Sequence, residues 1–167
     1  RGDLQALASR LDRLAAQLEK PRSATTADGQ VTPFEIVVGG GDQLRQTFYG
    51  PAAITRVVLR AQAGDLEAAL RGLVLKVTFD GQATIASPLG DFFGSAPGIN
   101  PYASLPLGMA EDGTMYCHWV APFQDSAVIE LTNHSGQDVT LSGEMTVSDY
   151  RWTESSMHLH AKWRAEF

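Results

Sequence analysis

The chain has 167 residues, 44% hydrophobic and 19% charged, the balance of one globular domain large enough to bury its own core without disulfides or metal. No apolar run approaches the ~20 residues that a membrane-spanning helix needs. The formal charge of -6 and the pI near 5.1 argue against a nucleic-acid partner, because phosphate contacts require a basic surface. The single cysteine, Cys117, lies in the apolar run TMYCHWV, which predicts a core thiol and points to a reducing, cytoplasmic setting. The chain opens on Arg1 without a signal-like segment, as expected of a trimmed product.

In chain order, the first element is a helix. DLQALASRLDRLAAQLEK, residues 3–20, carries Leu4, Leu7, Leu11, Leu14 and Leu18 at a 3-4-3-4 spacing, with no Gly, Pro or β-branched residue. Asp3 is placed to cap it, Ala8 and Ala15 take e positions, Arg10 and Gln17 take g positions, and Pro21 ends it. Isolated helices of such length are marginal in water. The leucine stripe therefore needs a partner, either its own domain or a neighbouring subunit, and the strict alternation favours an oligomer interface through these five leucines.

After the polar linker, period two takes over. PFEIVV, QTFYG, AITRVVLR, LVLKVTF, ATIASPL, TMYCHWV, AVIELTN, DVTLSGEMTV and MHLHAKW read as strands, parted by turn signals at Asp80-Gly81, Asp112-Gly113 and Ser135-Gly136. GGG at 39–41 reads as a hairpin turn, and GDLEAALRG at 64–72 as a short helix in a crossover loop. The expected fold is all-β: a single jelly-roll sandwich of about eight strands over residues 33–167, preceded by the heptad helix (1–21) and a linker (22–32).

Six blocks in order, GPAAITRVVLRA, LKVTFDG, SPLGDFFG, PYASLPLGM, YCHWVAPF with AVIELTN, and LHAKWRAE, resemble the first jelly roll of glycoside hydrolase family 172, formerly domain-of-unknown-function family 2961. The resemblance runs from about Gly50 to Glu166. It implies relatives built as double jelly rolls that assemble as trimers or hexamers and act on fructofuranosyl or related linkages. It also implies catalytic glutamates in the second roll, in blocks like E-G-D-E and G-T-E-D-Y-F. The chain ends at Phe167, where that roll is expected to begin, so no catalytic glutamate is carried over. GDFFG, 90–94, loosely echoes the second of those blocks, but Gly90 stands where the acid should be.

The segment LGDFFGSAPGINPYASLPLGM, 89–109, is too rich in Pro and Gly for a central strand and is expected to be a long connection. Its aromatic residues Phe92, Phe93 and Tyr102 either seal one end of the sandwich or touch a ligand; the first is favoured. Glycoside hydrolysis needs two facing carboxyls, and Asp80, Asp91, Glu111, Asp112, Asp125, Glu130, Glu144 and Asp149 are the candidates. If a ligand site exists, Asp91 with Tyr102 or Trp119 is the preferred set, since sugars stack on rings and bond to carboxylates.

MHLHAKWR, read as a strand, would put His158, His160, Lys162 and Arg164 on one face, a solvated or subunit-facing cationic stripe rather than a metal site. No P-loop, G-x-S-x-G or dinucleotide motif is present, and no cofactor is expected. Two functions follow. The favoured one is a non-catalytic structural roll that self-assembles into a trimer, a hexamer or a larger capsid-like shell. The alternative is a carbohydrate-binding or glycoside-hydrolysing protein with sites formed between subunits.

Overall fold

The computed structural model describes residues 29–164 together with Gln5, Leu11, Asp12 and Ala15. Those four are helical and exposed; Leu4, Leu7, Leu14 and Leu18 lie outside the described residues. Twelve strands follow: β1 (Gln30–Val38), β2 (Gln43–Tyr49), β3 (Ala52–Gln62), β4 (Leu73–Phe79), β5 (Gln82–Pro88), β6 (Tyr102–Ala103), β7 (Leu107–Met109), β8 (Met115–Cys117), β9 (Ala121–Phe123), β10 (Ser126–Asn133), β11 (Val139–Asp149) and β12 (Ala161–Lys162). Within residues 29–164 the helices are α1 (Leu66–Gly72) and the single turn α2 (Leu89–Phe92).

The strands form the all-β sandwich that the period-two pattern predicts. One sheet has the order β1-β11-β3-β8-β7-β6, with β9 also on β3; the other has the order β12-β5-β4-β10-β2. All pairings are antiparallel except the short β12–β5 contact. The β4–β5 hairpin turns at Asp80-Gly81, where both residues hold positive φ, 48° and 78°. A two-residue turn with both φ positive matches the right-handed twist of its strands. Asp65 caps α1 by accepting from the Ala68 N–H at 3.0 Å, which starts the helix where the sequence placed it.

Three expectations are corrected. TMYCHWV is not a strand throughout: only Met115–Cys117 form β8, residues 118–120 leave the sheet, and β9 begins after them at Ala121, both strands pairing with β3. GGG at 39–41 is not a hairpin turn, because β1 pairs β11 and β2 pairs β10, so the triglycine carries the chain from one sheet to the other. MHLHAKW is not an alternating strand; among its residues only Ala161 and Lys162 pair, and His158 is drawn onto Asp80 instead of facing solvent. The extra strands beyond eight are short pieces of the 89–109 connection and of the C-terminal segment.

Buried side chains gather in two clusters. One lies beneath α1 and α2, with Leu70, Leu73, Leu89, Phe93 and Met115. The other lies around Ile54, Phe79, Ile85, Phe123 and Ala127. Val57, Leu75 and Phe92 pack against both clusters and are themselves only half-buried. Gly108 holds the place where any Cβ would run into the Tyr116 ring, which lets that hydroxyl donate to the Ser104 carbonyl at 2.9 Å.

Candidate functional site

Five of the eight candidate acids are engaged by basic side chains, four by an arginine or lysine and one by a histidine. Asp91 accepts twice from Arg71 Nη1, at 2.8 and 2.6 Å. Asp112 meets Arg60 at 2.7 Å, Glu130 meets Lys76 at 3.2 Å, Glu144 meets Arg56, and Asp80 meets His158 Nε2 at 2.8 Å. The remaining three, Glu111, Asp125 and Asp149, are exposed. A general acid for glycoside hydrolysis is a carboxyl whose proton is retained by burial or by a second carboxylate. A neighbouring cation does the reverse, since it favours the ionised form. These carboxylates tie strands and loops together.

The sequence-chosen residues stand in three different places. Asp91 lies in α2, and its guanidinium partner Arg71 stacks over Trp163, 4.6 Å from the ring centroid. Tyr102 lies in β6 and donates its hydroxyl to the Phe93 carbonyl at 2.7 Å. Burial, followed by the neighbouring Tyr116 and Cys117, pushes that phenol up from its ordinary value. Trp119 sits in the break between β8 and β9, 48% exposed, and is among the residues that line the cavity between the sheets. The aromatic beside Asp91 is thus Trp163, reached through Arg71. Sequence reasoning missed both; the one available signal was Arg71 at the last turn of the helix that does form.

A second polar corner closes the far end. Asp80 accepts from the N–H groups of Gln124, Asp125 and Ser126 at 2.8, 2.7 and 2.9 Å. Burial alone would raise its carboxyl; the Gln124, Ser126 and Asp125 N–H groups, with His158, outweigh that and pull it down to about 2. The His158 ring lies 5.8 Å from Phe79 and 5.0 Å from Trp152, so carboxylate and rings together pin the C-terminal segment to the hairpin. Nearby chemistry is muted elsewhere as well: burial pushes the Cys117 thiol up to about 11, against one bond from the Trp119 N–H, which leaves little thiolate near neutral pH. Burial lowers His118, opposed by its bond to the Leu105 carbonyl and aided by Arg56.

Between the two sheets runs an apolar cavity of ≈ 550 Å³. Inward rows of both edge strands line it, Phe34 and Ile36 from β1, Leu44 and Phe48 from β2, with Ile129 and Met145 behind them. All six are only half-buried, whereas Thr32 and Gln46 at the lip are exposed. The cavity therefore reaches solvent between β1 and β2. Its chemistry is that of a hydrophobic cleft that takes up apolar side chains or an apolar ligand.

An antiparallel two-sheet sandwich with an open apolar cleft between its sheets defines a β-sandwich module. The chain belongs to the GH172 domain-like family, whose pattern matches residues 30–146, more than half of its 167 residues. No curated protein matches it. Among solved structures it is similar to PliG of Aeromonas hydrophila, a periplasmic inhibitor of g-type lysozyme, at 13% identity and TM-score 0.34, covering 75% of this chain and 93% of that one. It is also similar to the complex of Aeromonas sobria serine protease with its chaperone ORF2, at 9% identity and TM-score 0.32, covering 83% of this chain and 29% of that one. Both scores are too low to carry an argument about function.

Proposed function

We propose that the region described is a non-catalytic, self-assembling jelly roll of the GH172-like family. The strand order supports the jelly-roll reading. With β8 and β9 taken as one interrupted strand, the eight principal strands fall into β1-β11-β3-β8/β9 and β2-β10-β4-β5, the interleaved order of two Greek keys. The observation that carries self-assembly is the cleft: among the described residues a row of large apolar side chains is left half-covered between two free sheet edges, and such patches mark interaction sites. The engagement of Asp91, Asp112, Glu130 and Glu144 with arginine or lysine, and of Asp80 with three backbone N–H groups and His158, supports the non-catalytic half of the reading.

Native mass spectrometry tests it. A trimer or hexamer is expected, and a strict monomer at micromolar concentration would sink the proposal. Fructan-type and arabinan-type oligosaccharides are expected to survive incubation intact; hydrolysis that Asp91→Asn abolishes would establish the opposite.

A second reading, sugar binding at a site completed by a neighbour, is favoured by one feature: Trp163, 42% exposed, stands next to the Arg71–Asp91 pair. Loss of oligosaccharide binding in Trp163→Ala, with assembly unchanged, is the expected sign of it.

A further inference from the structure

Two apolar surfaces call for a partner, one read from the described residues and one from the sequence. The first is the cleft. Among the described residues β1 bonds only to β11, and β2 only to β10, so a free sheet edge borders the opening on each side. Packed sheets stand about 10 Å apart, and a helix with its side chains is about 10–12 Å wide, so a helix cannot enter between them. A helix lying along the opening can instead send one row of side chains inward.

The second surface is the leucine repeat. Only its a and d positions are large and apolar, which makes a narrow stripe suited to a narrow opening. From Leu4 to Leu18 a helix rises about 21 Å. From Thr32 to Val38, the part of β1 that borders the cleft, a strand advances about 20 Å. By heptad position Ala8 and Ala15 are small residues beside the stripe, and Arg10 on the other flank is opposite in charge to Glu35, exposed on β1.

Leu11, the one leucine of the stripe among the described residues, is helical and 57% exposed, and the inward residues along β1 and β2 are only half-buried. Exchange between copies satisfies both. We infer that the cleft between β1 and β2 seats the leucine helix of a second copy of this chain. The contact is heterologous, each copy giving a helix and receiving one, and such contacts close into rings when the rotation permits. The inference rests on the assembly reading above and names the surface through which assembly occurs.

Engineered disulfides test it. In a Cys117→Ala background, Leu11→Cys is combined with Ile36→Cys in the cleft, or with Thr132→Cys on the outward face of β10 as control. Light- and heavy-isotope chains are mixed before oxidation. The expected result is a bond between chains, half of the linked pairs carrying one light and one heavy chain, for the cleft pair alone. A bond within one chain, equal linking in the control, or no linking overturns the inference. Leu11→Asp is expected to weaken assembly at least tenfold by native mass spectrometry, and an unchanged oligomer also overturns it. If the unaltered chain is monomeric, the assembly reading itself fails; if it is oligomeric without the cleft bond, only this inference fails.

Discussion

At the end that carries α1 and α2, Leu70, Leu73, Leu89 and Phe93 are at most 3% exposed, whereas along β1 and β2 the inward residues Phe34, Ile36, Leu44 and Phe48 stay half-buried. Both regions turn large apolar side chains toward the interior. They differ in what covers them. The crossover from β3 to β4 inserts α1, and the connection after β5 inserts α2, so two short helices roof that end with leucine and phenylalanine. Between β1 and β2 the triglycine only turns the chain from one sheet to the other. Alternation defines an inward face, but burial also requires a lid, and a two-sheet sandwich must find one for each open side.

Substitutions sharpen this contrast. Phe93→Ala beneath the helical roof is expected to lower the unfolding free energy by about 3–5 kcal/mol, through lost burial and the cavity left behind, as measured by urea denaturation. Asn133, fully buried, donates to the Val38 and Gln137 carbonyls at 2.8 and 2.7 Å and accepts from the Ser135 N–H at 2.9 Å. Asn133→Leu strands those backbone groups and is expected to cost about 2–4 kcal/mol by the same measurement. Phe48→Ala, in the open cleft, is expected to cost only about 1–2 kcal/mol in dilute monomer. Equal losses for Phe48→Ala and Phe93→Ala would break the comparison.

Acid probes the opposite corner. The folded Asp80 carboxyl, at about 2, lies below its ordinary value of 3.8, so its stabilisation is complete above about pH 4 and fades as pH falls toward 2. The effect is on the order of 1 kcal/mol at this screened rim of the sandwich. Asp80→Asn is expected to flatten the pH dependence of the melting temperature in that window. The smallest change is expected for Arg71→Met. Its ion pair with Asp91 is half-open to solvent on the arginine side, and thermal melting should register less than about 1 kcal/mol.

Much of the sandwich was legible because strands and turns announce themselves locally. The alternation in LVLKVTF gave β4, Asp80-Gly81 gave its hairpin, and GDLEAALRG gave α1 with its Asp65 cap. The misreadings share one cause, the dominance of distant partners over local pattern. Alternation in MHLHAKW is real, but Asp80 and two aromatic rings claim His158 from across the molecule. TMYCHWV is apolar throughout, yet the chain breaks at 118–120, where the His118 N–H bonds to the Pro106 carbonyl at 2.7 Å rather than to β3. The site was less legible than the fold. That Asp91 meets Arg71 and Trp163 depends on a helix, a turn and a C-terminal segment converging, and no spacing in the chain encodes that meeting.

β11 lies between β1 and β3, joined to one along nine residue pairs and to the other along ten. Neither of those earlier strands has the other as a neighbour, so during synthesis β1 waits unpaired, and β3, which can pair earlier only with β8 and β9, keeps its other edge open until the chain has been made past Asp149. Bringing such remote segments together first loses much chain entropy and is rewarded only late. A ribosome-bound fragment that stops before Val139 would present two loose halves of one sheet. Chaperone demand should therefore peak just before the eleventh strand appears.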